Sequence, residues 1–279
     1  MPIHDQSYRR YHGEKQAPGA AWLVIAQTGI RAALAKRRFL WVLLLAWAPF
    51  FVRAVIFYLA ANFPTMDLLA PSVETFRQFL EMQGIFVFFV TIYVGSGLVA
   101  NDRRSNALQI YLSKPLTRVE YVAGKLGVLV FFLLLVTLLP AMTLLLVQVM
   151  FSGSLTFLRE NLFLLPAITL YALTQVLLAS FAILALSSLS TSARYTAILY
   201  AGAILFTDAV FTVVQGFTAS TRLAFLSFRA NQDQIGDVIF RLQPRYEAPW
   251  LVSVLVVLLV IAASIAVLER RVRGVEVVT

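Results

Sequence analysis

The chain contains no cysteine, so a disulfide framework, a thiolate metal site and a cysteine nucleophile are all excluded. Its two histidines, His4 and His12, both lie in a polar N-terminal arm, which argues against a His-Glu-x-x-His zinc site or a Ser/His protease. The phosphate-cradling pattern Gly-x-x-x-x-Gly-Lys-Ser/Thr is missing as well. Gly124-Lys125 lacks both the upstream glycine and the following hydroxyl, so the chain has no nucleotide site of that kind. Charge is the scarcest property: 13% of the 279 residues are ionic, where soluble domains carry about 25%. A surface facing water needs ionic groups to cover it. With 60% hydrophobic residues and a mean hydropathy of +0.81, the composition points to an integral membrane protein.

Six apolar stretches are long enough to cross a hydrocarbon core of about 30 Å: 39–60, 82–100, 126–150, 162–186, 195–217 and 249–268. The second is the weakest, being short and interrupted by Tyr93, Gly95, Ser96 and Gly97. The expected fold class is therefore all-α, a polytopic membrane protein with six transmembrane helices. Residues 1–38 form an arm ahead of the six-helix domain at 39–279. The arm is too long and too charged for a signal peptide.

The net charge of +9 is distributed unevenly along the chain. Sixteen of the 23 Lys and Arg residues fall in the arm, the second and fourth loops and the C-terminal tail, all on one side of the predicted topology. Six fall on the other side, including Arg77, Arg229 and Arg245, and Arg53 lies within a span. By the positive-inside tendency both termini are expected in the cytoplasm, with headgroup contact rather than nucleic acid accounting for the basic surplus.

Three non-spanning segments carry pattern. Between 18 and 38, Trp22, Ile25, Ala26, Gly29 and Ala33 form one apolar stripe, with Arg31 and Arg38 elsewhere and Lys36-Arg37-Arg38 at the start of the first span. This predicts an amphipathic helix at the membrane interface. In the loop at 101–125, Ala107, Leu108, Tyr111 and Leu112 recur at helical spacing, and Pro115 ends that helix. Thr117-x-x-Glu120 then reads as a capping box that starts the third span. The apolar stripe favours a docking element over a plain solvated loop. The outer loop at 218–248 is expected to hold two short amphipathic pieces, around 223–228 and 235–240.

Ionisable side chains inside spans are rare and often functional. Arg53 and Asp208 lie roughly 21 and 20 Å from the cytoplasmic ends of their spans, counting about 1.5 Å per residue. Their matched depth predicts an ion pair, within one subunit or across a dimer. Pro49, Pro140 and Pro166 are expected to kink their helices, and Gln148 and Gln175 to hydrogen-bond between helices.

These features together resemble the permease subunit of a type-2 ABC transporter. The resemblance lies chiefly in Asp102 after the second span, in Leu112-Ser113-x-Pro115-x-x-Arg118, and in Gly124-Lys125 opening the third span. Ala-Leu-Ser-Ser-Leu-Ser190, closing the fourth span, is also similar. Two positions depart from the pattern: Asp102 stands where Glu is usual, and Asn106-Ala107 where a small pair is usual. The resemblance implies a separate ATPase subunit, in two copies, that binds ATP and Mg. It implies a second permease copy, identical or related, and residence in a prokaryotic inner membrane. It also implies that a helix at 103–112 couples to the ATPase. Asp102, Arg103, Arg104, Leu108, Tyr111, Leu112, Ser113, Pro115, Arg118 and Glu120 would make up that coupling loop. A secondary transporter or channel would require several intramembrane carboxylates or internal repeats, and a non-transporting scaffold would require only the docking loop. The transported molecule is not legible in the sequence: lipids, hydrophobic drugs, glycans, peptides and a component for assembling an extracytoplasmic metalloenzyme all stay open.

Overall fold

A computed structural model of the chain describes residues 21–63, 71–107, 117–153 and 156–272. Among these the regular structure is helical throughout. Six helical stretches are long and apolar enough to cross a membrane: Arg37–Asn62, Val73–Arg104, Arg118–Ser152, Leu164–Leu189, Ala193–Thr218 and Trp250–Arg271. The protein is an all-α polytopic membrane protein. Trp41, Met150, Phe206 and Phe217 are each at least 70% exposed. Such a belt of large bare apolar side chains suits acyl chains and not water.

The first stretch consists of α2 (Arg37–Ala46) and α3 (Ala48–Asn62), broken at Trp47 with Pro49 in the first turn of α3. Proline lacks the amide that would continue the ladder, so the predicted kink falls where its ring can begin a new helix. The third stretch breaks the same way at Thr137, between α6 (Arg118–Val136) and α7 (Leu138–Ser152), with Pro140 just after the break. Pro166 instead sits in the first turn of α9 (Leu164–Leu189), where no kink is needed. A short α8 (Thr156–Glu160) precedes α9.

The second stretch differs most from expectation. Its helix α4 (Val73–Val90) starts nine residues before the predicted 82, fixed by a capping box between Ser72 and Thr75. Phe76, Phe79 and Leu80 bury one face of this added length. Glu74, Arg77 and Glu81 had masked it by lowering the local hydropathy. After Val90 the helix widens into a π turn at Thr91–Gly95 and restarts as α5 (Ala100–Arg104). The residues that weakened the prediction are thus those that interrupt the helix.

Helix α9 is central, packing on α4, α6 and α7, on α10 (Ala193–Thr218), on α11 (Phe228–Ile239) and on α12 (Trp250–Arg271). By contrast α10 buries only Thr196, Tyr200 and Phe211. In the outer loop the first expected piece is a single 3-10 turn at Ala224–Leu226. The second is the longer α11, capped by Ser227. It is seated so closely that a Cβ at Gly236 would meet the Tyr171 ring at 2.8 Å. Pro249 precedes the last span as its N-cap, one position before the expected first turn.

Candidate functional site

At the end of the molecule where most of the basic residues gather, α1 (Ala21–Leu34) lies along α6. Ile25, Ala26, Gly29 and Ala33 of its predicted stripe face protein, while Trp22 is partly exposed. Four of the five stripe residues therefore pack on protein. The approach is close because α6 presents glycine: a Cβ at Gly124 would lie 2.7 Å from Ile25 Cβ and 2.9 Å from the Trp22 carbonyl. Arg31, Lys36, Arg37 and Arg38 stay exposed, with Lys36 Nζ 5.9 Å from the Tyr93 ring centre.

Three residues far apart in sequence meet beside this contact. Lys125 Nζ lies 2.6 Å from Asp102 Oδ2, and the Tyr121 hydroxyl donates to the same oxygen at 2.7 Å. Lys125 also sits over the Tyr121 ring at 5.4 Å. The acidic position after the second span and the Gly-Lys opening the third thus form one partly buried junction that closes both ends of the 101–125 loop.

The neighbouring serines join α9 to the same junction. Ser187 Oγ accepts from the Val99 and Ala100 amides at 3.2 and 3.0 Å and donates to the Ser96 carbonyl at 2.9 Å. It therefore satisfies amides that the restarted α5 leaves without an intrahelical partner. Arg103 donates to the Ser188 carbonyl.

The expected capping box at α6 is present. Thr117 Oγ1 accepts from the Glu120 amide at 3.2 Å, and Glu120 Oε2 accepts from the Thr117 amide at 2.9 Å. The helix expected over 103–112 needs correcting at its start. Arg103 and Arg104 end α5, which Ser105 caps, and Asn106 turns into the left-handed region at φ 54°. A carbonyl–Cβ clash makes that conformation poor for continuing a helix. Arg104 and Arg118 are exposed on either side of the loop. Leu108, Tyr111, Leu112, Ser113 and Pro115 lie outside the described residues.

The opposite end holds a cluster that sequence reasoning missed. Arg77 is completely buried. Its Nε lies 2.8 Å from Asp237 Oδ1, its Nη2 donates to the Asp233 carbonyl at 3.0 Å, and Nη1 pairs with Glu81. Arg245 grips Glu81 with two bonds, at 3.1 and 3.0 Å, and its amide donates to Asp237 Oδ2 at 3.2 Å. Two guanidinium groups thus bind three carboxylates, joining α4, α11 and the segment before α12. Burial, with Glu81 adding to it, pushes Asp233 up to about 6 against the pull of Arg77, and burial also raises Asp237. Topology counting placed Arg77 and Arg245 as separate charges in two different loops on the outer side. The i,i+4 spacings Arg77–Glu81 and Asp233–Asp237 were the available signal.

A cavity of about 530 Å³ runs from this cluster toward the basic end between α4, α9, α10 and α12. Glu81, Asp208, Arg229 and Asp233 line one end, while Val87, Phe88, Leu178 and Ile204 contribute to its apolar wall. Asp208 accepts from Ser227 Oγ at 3.0 Å, whereas Arg53 donates to Gln78 at 3.4 Å. Within the chain, therefore, Arg53 and Asp208 each have another partner and form no ion pair. A count of residues along each span does not give the direction in which its helix presents a charge. Gln175 bonds between helices as expected, donating to the Leu80 carbonyl at 3.2 Å.

No family model matches the chain, and no curated protein matches it.

Proposed function

We propose that the chain is the transmembrane permease subunit of an ATP-driven transporter of the type-2 ABC class, working as an exporter. In this reading it resides in a prokaryotic inner membrane with its basic end and both termini in the cytoplasm. Two permease copies form the path, and the bare face of α10 is available for the second copy. A separate ATPase subunit, two copies per complex, supplies the energy of ATP and Mg.

The observation that carries the reading is the Asp102–Tyr121–Lys125 junction. A loop that only connects two spans needs no partly buried ion pair between its ends. A loop that receives a push must be fastened to the helices it moves. Here a displacement of the segment around Leu108 and Tyr111 would pass into α5 and α6 together. The Arg103 and Ser187 contacts would carry it into α9, and the α1–α6 contact would resist tilting at headgroup level. Differential contact of the loop with two states of the ATPase then biases two states of the spans.

The test is to purify the tagged chain with its ATPase and to measure ATP hydrolysis in proteoliposomes. Leu108→Asp and Tyr111→Ala are expected to abolish the permease-stimulated part while membrane insertion is unchanged. Undiminished stimulation in both variants would remove the coupling assignment.

A further inference from the structure

We propose that the cavity between α4, α9, α10 and α12 binds a cationic amphiphile, a molecule with one apolar chain and an amine or quaternary ammonium head. The inference rests on the permease reading and names the substrate class of its path. Small-molecule sites usually occupy about 300–1,000 Å³, with apolar walls and a few placed polar groups, and 530 Å³ falls within that range. On α9 the lining residues run from Tyr171 to Leu189, about 27 Å of helix at 1.5 Å per residue. A slot of that length suits an extended chain better than a compact solute.

The sign of the head follows from the charges. Three carboxylates and one guanidinium line the polar end. Glu81 is already gripped by Arg245 and Arg77, and Asp233 by Arg77. Asp208 is different: among the described residues its carboxylate accepts a bond from the Ser227 hydroxyl alone, and no Lys or Arg nitrogen lies within ion-pair distance of it. A carboxylate on a membrane span is costly without a countercharge, and a bound ammonium would supply one.

The experiment measures saturable binding of radiolabelled dodecyltrimethylammonium and of dodecyl sulfate to the purified chain in nanodiscs, with protein-free discs subtracted. The wild type is expected to bind the ammonium at least about tenfold more tightly than the sulfate, the value of one close charge pair. Asp208→Asn should erase that preference, and Asp208→Glu should keep it. Ala182→Phe, which fills the cavity midway along α9, should remove saturable binding of both probes. Equal affinity of the wild type for the two heads, or a preference that persists in Asp208→Asn, overturns the proposal. Saturable binding that survives Ala182→Phe overturns the location. If Asp208→Asn does not elute as a folded species, the wild-type headgroup comparison decides alone. No ATPase is present in this assay, so its failure leaves the coupling reading intact, and loss of coupling leaves this binding intact.

Discussion

A buried arginine is tolerated where opposite charges and carbonyls surround it, and Arg77 has Glu81, Asp233, Asp237 and the Asp233 carbonyl around it. Its three acidic partners do not share the benefit equally. Asp233 is the one whose proton affinity rises to about 6, from an ordinary 3.8. Between those two values the folded chain holds a proton that the unfolded chain has released. The folded state then binds more protons, so stability falls as pH rises through this window. Asp233→Asn keeps the shape of the side chain and cannot ionise. Thermal unfolding in detergent from pH 4 to 7 should show the wild type losing stability relative to the variant, with the loss complete above about 6. Parallel curves for the two proteins would show that Asp233 is ionised without penalty. The sequence displayed Arg53 and Asp208 as intramembrane charges because each interrupts an apolar run. It hid the Arg77 cluster because those charges stand at span ends and in a loop, where charges are ordinary and partners depend on tertiary packing.

Among the elements, the most legible was the start of α6. Thr117 and Glu120 act through backbone groups three residues away, so a local pattern suffices to find them. The same holds for the breaks near Pro49 and Pro140, where the missing amide acts on its own helix. Less legible was what α1 would lie against. Periodicity reveals that a stripe exists, but lipid and a neighbouring helix want the same apolar face. The deciding residue was on the other helix. Gly124 admits Ile25 and the Trp22 carbonyl, and the carbonyl, being backbone, cannot swing aside. Gly127, one turn on, has only Ala26 Cβ nearby, at an ordinary 3.4 Å. The two glycines should therefore respond oppositely to alanine. Gly127→Ala is expected to be neutral or to stabilise by up to about 1 kcal/mol through helix propensity. Gly124→Ala should destabilise by about 1–3 kcal/mol, the cost of overpacking. Differential scanning fluorimetry of the two variants checks this, and equal shifts would mean that α1 does not sit tightly on α6.

For the whole molecule, the asymmetry of charge and the asymmetry of packing coincide. The exposed Arg31, Lys36, Arg37, Arg38, Arg104 and Arg118 gather at the end where α1, α5 and α6 meet. At the other end Arg77 and Arg245 are engaged in the buried cluster, and Arg222 pairs with Glu247 across 3.4 Å. Free basic groups at one end are what anionic headgroups can hold, and the positive-inside tendency counts those same groups. The absence of cysteine makes the resulting orientation directly measurable, since a single introduced thiol is the only one in the chain. Arg222, whose side chain is 83% exposed, marks the far end, and Arg104 marks the basic end. In intact cells a membrane-impermeant maleimide should label Arg222→Cys at once and Arg104→Cys only after permeabilisation. The reverse pattern would place the Asp102–Lys125 junction outside the cell, where no ATP-driven partner could reach the loop it closes.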